Sequence, residues 1–410
     1  MRILFSVHGY KPAWRIGGPV ISVSSLAETL VERGHEVTVF TTNSNLDEDL
    51  DVPTDRLIDV RGVQVRYFCR DEPFKRYLPG VKYLSQSIGT MYTPEMPGAL
   101  AAIAGQVDLM HTHIPFVFPT LATAWAAKRA MVPLFYHQRG VFDPERLKFR
   151  AVKKRVYMSL LEKPILRQAT TLIALTEAER DNYGSLGVRT PCTVIPNGIH
   201  LPSPMPVIEV AAHIAPLGLR EDQQVILFMG RLHPVKGADR LLAAFERIAA
   251  RYPQARLVLA GPDEFGLAAK FMARVEDKGL VGRVVFPGMV TGSLKSALLH
   301  RADLFCLPSD AEGFSMAILE ALAHATAVLI SPRCHFPEVV GAGGGIVVDP
   351  DVTSLERALD SLLARPVQLK AMGEAGCKLV AKEYTWDQVA NKMLDCYQEG
   401  ISRYRKRYPR

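Results

Sequence analysis

The sequence predicts an α/β protein built from two doubly wound parallel sheets. Short apolar strands alternate with helical patterns along nearly the whole chain, the pattern that puts helices on both faces of a parallel sheet. A proline-rich break, Leu201–Arg220, stands near the middle. On each side of it the chain starts with an apolar strand that leads into a glycine-bearing turn.

In the first half, Ile3–Val7 reads as a strand and Gly17-Gly18-Pro19 as the turn into a helix, with Pro19 suited to the first helical turn. Val20, Val23, Ala27, Leu30 and Val31 repeat at helical spacing, and Gly34 can end that helix. His35–Thr41 closes a βαβ unit. Further strands are expected at Val63–Phe68, Asp108–His111, Leu134–His137 and Thr171–Leu175. Leu109–Ala127 carries no formal charge and approaches the length of a membrane span. Its histidines and prolines suit a buried strand and helix better. In the second half, Val225–Met229 leads into Gly230–Gly237 and a helix near Ala238–Ala250, followed by strands at Arg256–Ala260, Val284–Phe286, Ala302–Leu307, Ala327–Ile330 and Gly345–Val348. Trp386–Tyr404 has helical spacing and could pack back on the first domain. The expected organisation is 1–198 as an N-terminal domain, 199–222 as a linker, 223–385 as a C-terminal domain and 386–410 as a C-terminal helix.

The 410 residues allow two or three domains. A charged fraction of 22% argues against wholesale disorder. The net charge of +7 is concentrated in a run from Arg146 to Arg167 and in the tail Arg403, Arg405, Lys406, Arg407 and Arg410. Such clusters suit phosphates, anionic lipid or a solvated helix face. Phe74–Tyr83 mixes aromatic and cationic residues as a membrane interface would. The dispersed cysteines form no CxxC pair, which argues against a zinc or redox motif and for free thiols in a cytoplasmic protein.

Ligands of open parallel sheets sit beyond the carboxyl ends of the strands, and the chemistry-bearing residues cluster there. Arg231 and Lys236 stand on one turn between Gly230 and Gly237. Two such cations repel unless an anion lies between them, and a diphosphate fits that need. Pro308–Met316 follows a strand and runs into a helix expected over Ala317–Ala325. Its turn at Gly313 offers backbone N–H groups at a helix N-terminus, an anion site. Glu312 and Glu320 stand eight residues apart, roughly 12 Å at helical rise. That is about the distance from a donor sugar to its ribose. His111 and His113 share one face of a strand end. Such a pair can hold a metal, but no carboxylate or cysteine with suitable spacing stands nearby, which argues against that reading. His111, still within the strand, reads equally well as a satisfied core residue. Gly17-Gly18 could cradle a phosphate, although it lacks the GxGxxG pattern.

In combination these residues resemble the retaining glycosyltransferases of family 4, which have the GT-B fold: two Rossmann-like domains facing a central cleft. The resemblance rests on GHEVTVFT, DLMHTHIP, IALTEAERDNYGSLG, CTVIPNGI, GRLHPVKG, DLFCLPSDAEGFSMAILEALAHATAVLIS and FPEVV, and covers nearly the whole chain. It implies that Arg231 and Lys236, with Gly230, bind the donor diphosphate and stabilise the leaving group. Glu312 would contact the donor sugar and Glu320 the ribose. His113 would sit by the reacting centre. Gly18, Gly313, Phe314, Ser315 and Met316 would present backbone amides to the phosphates. No cofactor or metal is implied. The resemblance leaves His111 unassigned and Glu338 insecure, because Ser331–Pro337 replaces the family's commoner glycine-rich turn. It implies transfer of a hexose from a nucleotide sugar to a glycan or polyprenyl-linked acceptor in polysaccharide assembly, in the cytoplasm and peripheral to the inner membrane face. Two rivals remain: a sugar-nucleotide epimerase of the same fold, and a membrane- or nucleic-acid-binding module. The latter lacks a nucleic-acid reading motif.

Overall fold

The computed structural model describes residues 1–46, 48–71, 91–144, 147 and 151–409, with backbone alone for 151–153. Phe74–Tyr83, Arg146, Lys148, Arg150 and Arg410 lie outside the described residues. The chain forms two compact units. One comprises Met1–Gly198 with Trp386–Arg410, and the other Ile199–Thr385.

The first unit holds ten strands among the described residues: β1 Arg2–Ser6, β2 Glu36–Thr42, β3 Ser44–Asn45, β4 Glu48–Asp49, β5 Ile58–Val60, β6 Val63–Phe68, β7 Leu109–His113, β8 Leu134–His137, β9 Thr171–Ala174 and β10 Cys192–Val194. Strands β3 and β4 pair only with each other. The others form one sheet in the order β10-β9-β8-β7-β1-β2-β6-β5, parallel except for the β5–β6 pair. The strand period of two sorts the side chains of this sheet onto its faces. Ile3 and Phe5 join Leu109, Phe135 and Ile173 in one core cluster, whereas Leu4 joins Met110, Leu134, Tyr136 and Leu172 in another. Because both faces are covered, β1 and β7–β9 read as apolar runs rather than as alternation.

The C-terminal helix Trp386–Arg407 covers the first of these faces. Its buried Trp386, Val389, Ala390, Met393, Tyr397 and Ile401 recur at helical spacing and pack into the same cluster as Phe5 and Phe135. Val389, Met393 and Ile401 each contribute roughly 1.5–3 kcal/mol by burial. The approach is close: a Cβ at Gly400 would lie 2.5 Å from the Phe135 ring.

The second unit holds β11 Gln224–Met229, β12 Ala255–Ala260, β13 Val284–Gly288, β14 Leu304–Leu307, β15 Ala327–Ile330 and β16 Gly345–Val347. They form a parallel sheet in the order β13-β12-β11-β14-β15-β16. The stretch 199–222, read as a linker, is not structureless. It contains the helix Val207–Ile214, whose Val210 and Ile214 join the core of this unit. Prolines flank that helix rather than interrupt it, and the apolar residues within are spaced to seat one face.

The Leu109–Ala127 stretch folds as β7 and the start of the helix Phe118–Ala130. No helix among the described residues is long and apolar enough to cross a membrane. All six cysteines are free.

The helix Pro366–Glu383 crosses the start of β15 at Gly373, where a Cβ would lie 1.8 Å from the Ala325 carbonyl oxygen. Gly373→Ala is therefore expected to destabilise the protein by about 1–3 kcal/mol or more through overpacking. A lower urea midpoint at unchanged slope would show it.

Candidate active site

Each sheet reverses its winding once, and the reversal opens a crevice past the carboxyl ends of the strands that flank it. In the first unit these strands are β1 and β7, and in the second β11 and β14. Gly17-Gly18 follows β1, and His111 and His113 lie in β7. Gly230–Gly237 follows β11, and Pro308–Met316 follows β14.

In the second unit one glycine sets the geometry. Gly237 has φ +75°, and a Cβ there would meet the Pro308 carbonyl oxygen at 2.3 Å. The turn after β11 can therefore press against the turn after β14. Hydrogen bonds fix the contact: Asp310 N–H donates to the Val235 carbonyl at 2.7 Å, and Ser309 Oγ donates to the same oxygen at 3.0 Å. A second close approach fixes the end of β11. Gly261, at φ +147°, would drive a Cβ to within 1.8 Å of the Gly230 carbonyl oxygen. The sequence reading did not single out Gly261, although a glycine directly after an apolar strand is its signal.

These contacts bring Lys236 against Glu312, with Nζ 2.5 Å from Oε1 and both side chains largely buried. Arg231, about half exposed, pairs instead with Glu264 at 3.0 Å. Each of the two cations thus faces a carboxylate of its own within the protein. Glu320 lies on the helix Met316–Ala323 and is paired with Lys295 at 2.6 Å. That helix starts four residues after Glu312, so helical rise does not apply to the whole 312–320 span. The first-turn N–H groups of any helix lack intrahelical partners, and here the Ser315 side chain makes no capping bond. Ser315 and Met316 lie at this helix start without a side-chain cap, and Phe314 directly precedes it. Gly313 lies in the same turn. Glu338 is exposed at the start of the short helix Glu338–Gly341.

In the first unit, Gly17 takes φ +92° at the N-cap of the helix Gly18–Glu32, and Pro19 follows in its first turn. A Cβ on Gly18 would meet nothing within 4 Å, so the space beside its backbone is open. His111 and His113 point to the face shared with the C-terminal helix, and β8 adds His137 in register with His113. All three imidazoles are fully buried. Burial holds each well below the usual histidine range, and the Arg139 charge adds to the effect. They are neutral at physiological pH. His111 is satisfied at Nδ1 by the Tyr397 hydroxyl at 2.6 Å, as a core histidine would be.

Arg139 fixes His113. Its Nε donates to His113 Nδ1 at 3.2 Å, and its Nη1 bonds Ser22 Oγ at 2.8 Å and Asn197 Oδ1 at 3.0 Å. An Nδ1 that accepts leaves the ring proton on Nε2, and His113 Nε2 has no partner within the protein. It is a buried donor left without a partner. The sequence reading assigned no role to Arg139. Arg139 has a left-handed backbone, φ +51°, and Gly140 follows at +77°.

The chain just beyond His113 is strained, with Ile114 at φ +71° and Phe116 at φ +63°, costly for such residues. Glu162 braces it. Phe116 N–H donates to Glu162 Oε2 at 3.1 Å and the Tyr136 hydroxyl to Oε1 at 2.5 Å. Glu162 ends a π-helical turn, Met158–Glu162, a feature often found at functional sites. Burial pushes its carboxyl up to about 7 despite these two bonds. Nothing in the sequence pattern marked it.

The ligating atoms of His111, His113 and His137 lie within 4.8 Å of one another. The sequence reading missed this third histidine. The Arg139 guanidinium stands against the trio and donates to His113 Nδ1, which occupies that nitrogen.

Two doubly wound units, each with its chemistry at the reversal point, define the GT-B class of glycosyltransferases. The chain belongs to the group 1 glycosyl transferases: the family model described as "Glycosyl transferases group 1" matches residues 210–399, and a "Glycosyl transferase 4-like domain" matches 17–198. It is similar to the D-inositol 3-phosphate glycosyltransferase of Mycobacterium sp. strain JLS, at 30% identity over 383 residues, covering 85% of this chain and 84% of that one. The enzyme of the same name from Mycolicibacterium paratuberculosis is 28% identical over 374 residues, 84% and 83% of the two chains. Among solved structures, Anabaena HepE in complex with UDP superposes with a TM-score of 0.74 at 19% identity, covering 97% of this chain and 100% of that one. Sucrose-phosphate synthase from Thermosynechococcus elongatus gives 0.73 at 23% identity, covering 98% and 99%. The protein is a glycosyltransferase enzyme.

Two outcomes check the first-unit geometry. Arg139→Met removes the donor to Nδ1, so the His113 proton is expected to distribute over both nitrogens. Imidazole ¹⁵N shifts, assigned with His113→Gln, read this directly, and an unchanged Nε2–H tautomer would refute it. For Glu162, a folded-state value raised above the unfolded one means that the native protein keeps the proton where the unfolded chain has lost it. Its contribution to stability therefore falls as pH rises from the ordinary carboxylate range to about 7, by on the order of 3 kcal/mol. Glu162→Gln is expected to remove that dependence, so the difference in unfolding free energy between wild type and variant should decline across this window.

Proposed function

We propose that the protein is a retaining glycosyltransferase that moves a hexose from a nucleoside diphosphate sugar to a glycan or lipid-linked acceptor, serving cell-surface polysaccharide synthesis at the cytoplasmic side of a membrane. The observation that carries the donor assignment is the largely buried Lys236–Glu312 pair beside the uncapped start of the Met316–Ala323 helix. A cation and an amide-rich helix end favour a diphosphate. An adjacent carboxylate accepts hydrogen bonds from sugar hydroxyls. HepE binds UDP in its solved complex, which favours a uridine donor as the first to test.

On this reading the diphosphate draws Lys236 away from Glu312 and Arg231 away from Glu264. Glu312 is then free for the hexose, and Phe314–Met316 bind phosphate oxygens through their amides. Glu320, held by Lys295, accepts from the ribose. Arg231 and Lys236 neutralise charge as the glycosidic bond breaks and the nucleoside diphosphate leaves, so no metal is required. The acceptor oxygen attacks the face the leaving group departs, its proton passes to a phosphate oxygen, and the anomeric configuration is retained. His113, neutral and with its buried Nε2–H unpartnered in the protein, donates to a hydroxyl near the reacting carbon and does not act as a general acid. Gly18 leaves room for a substrate to approach the backbone. Positioning and charge stabilisation carry the catalysis.

UDP-, GDP- and ADP-sugars should be screened for thermal stabilisation, and the best donor assayed with lipid-linked acceptors and with D-inositol 3-phosphate, which the relatives' name suggests. Lys236→Ala and Glu312→Ala are each expected to lower transfer about 100-fold or more with an unchanged circular dichroism spectrum. Lys236→Ala should also abolish the thermal shift. Wild-type rates in both variants would overturn the donor assignment.

A further inference from the structure

A second charged site lies at the other end of the first sheet. The amino ends of β9 and β10 border a hollow of about 500 Å³, the size of a small-molecule pocket. Four arginines converge on it from three separate segments: Arg167 from the helix Lys163–Gln168, Arg189 from the turn before β10, and Arg403 and Arg407 from the C-terminal helix. No aspartate or glutamate lines it. Tyr404 and Tyr408 form an aromatic wall, with ring centroids 4.9 Å apart and the Arg407 guanidinium 5.4 Å from the Tyr408 ring.

The arginines are not used up by the fold. Arg403 donates to Thr171 Oγ1 at 2.7 Å and stands 3.8 Å from the exposed Glu399. Among the described residues, no ion pair within 4 Å involves Arg167, Arg189 or Arg407. Other arginines of the chain are held by carboxylates: Arg70, Arg240, Arg274 and Arg301 each face one within 3 Å. Helix dipoles account for part of the cluster, since Arg167 and Arg407 occupy last turns. They do not account for Arg189, which is on no helix, or for four like charges around one acid-free hollow. Like charges gathered in this way repel unless an anion is shared between them.

We infer that this hollow binds a phosphate-bearing anion, with the guanidinium groups taking its oxygens and the tyrosine rings lying along its organic part. Arginine forks suit phosphate oxygens two at a time, and the volume exceeds what a bare phosphate fills. The site lies at the opposite sheet end from His113 and His137, so its occupant does not compete with chemistry at the carboxyl ends. A phosphorylated metabolite and an anionic lipid headgroup offer the same chemistry, and the inference does not depend on the donor reading.

The test uses full-length Lys236→Ala, so that the donor turn does not take up the probe. It is compared with the same protein carrying Arg189→Gln and Arg407→Gln. Both arginines are exposed, and equal melting temperatures without ligand check that the fold survives. Calorimetric titration with inorganic pyrophosphate is expected to show binding that the two substitutions weaken by about tenfold or more. Flotation with vesicles containing anionic phospholipid, against neutral vesicles, separates the sources. Loss of flotation with the substitutions assigns the hollow to a lipid headgroup; pyrophosphate binding without flotation assigns it to a soluble phosphate. Undetectable binding of both probes by the parent, or equal binding by both proteins, would overturn the proposal.

Discussion

The second unit's site depends on one contact, the seating of Gly237 against the Pro308 carbonyl. It requires both the absence of a Cβ and a left-handed backbone. From it follow the bonds of Ser309 and Asp310 to Val235 and the meeting of Lys236 with Glu312. The sheet supplies only the setting. β11 and β14 are neighbours at the winding reversal, so the turns that follow them start side by side. The glycine converts that proximity into a fixed approach of two side chains more than seventy residues apart in sequence.

Much of this was legible before the structure, for a physical reason. Fully covered parallel strands must be apolar on both faces, and β1, β7, β8, β11, β14 and β15 are short apolar runs ended by turn residues. The glycine turns and the cations within them could be seen because the steric and electrostatic demands are local. What stayed hidden is non-local or weakly patterned. β5 and β10 are three-residue strands with only half-buried or exposed side chains, too short to show a period. The helix Val207–Ile214 was masked by the prolines around it. The carboxylate partners of Arg231 and Lys236 lie 33 and 76 residues away, and no spacing rule reaches that far.

The first unit solves a different problem. Its imidazoles are at the end of buried strands, where a charged ring would be costly, and burial keeps them neutral. A neutral histidine has two possible tautomers, so burial alone does not specify a donor. Arg139 makes the choice for His113, and its guanidinium is held in turn by Ser22 and Asn197. The C-terminal helix contributes too. Tyr397 engages His111 and closes the apolar face below the imidazoles, so a segment almost 300 residues away in sequence helps set the protonation state of this layer.

The two halves thus hold their polar groups in opposite ways. In the second unit the cations are on turns and paired with carboxylates, and the half-exposed Arg231–Glu264 pair is one that a stronger anion can displace at small cost, because exposed pairs are individually weak. In the first unit the donors are buried, locked by hydrogen bonds and backed by a strained loop that Glu162 restrains, an arrangement that resists rearrangement. Exchangeable pairs suit the capture and release of a charged leaving group, whose diphosphate must be gripped in one step and let go in the next. Rigid neutral donors suit the orientation of hydroxyls, whose binding gains little from charge and much from fixed geometry. The same fold, used twice, thus presents carboxylate-paired cations at one reversal point and hydrogen-bonded neutral imidazoles at the other.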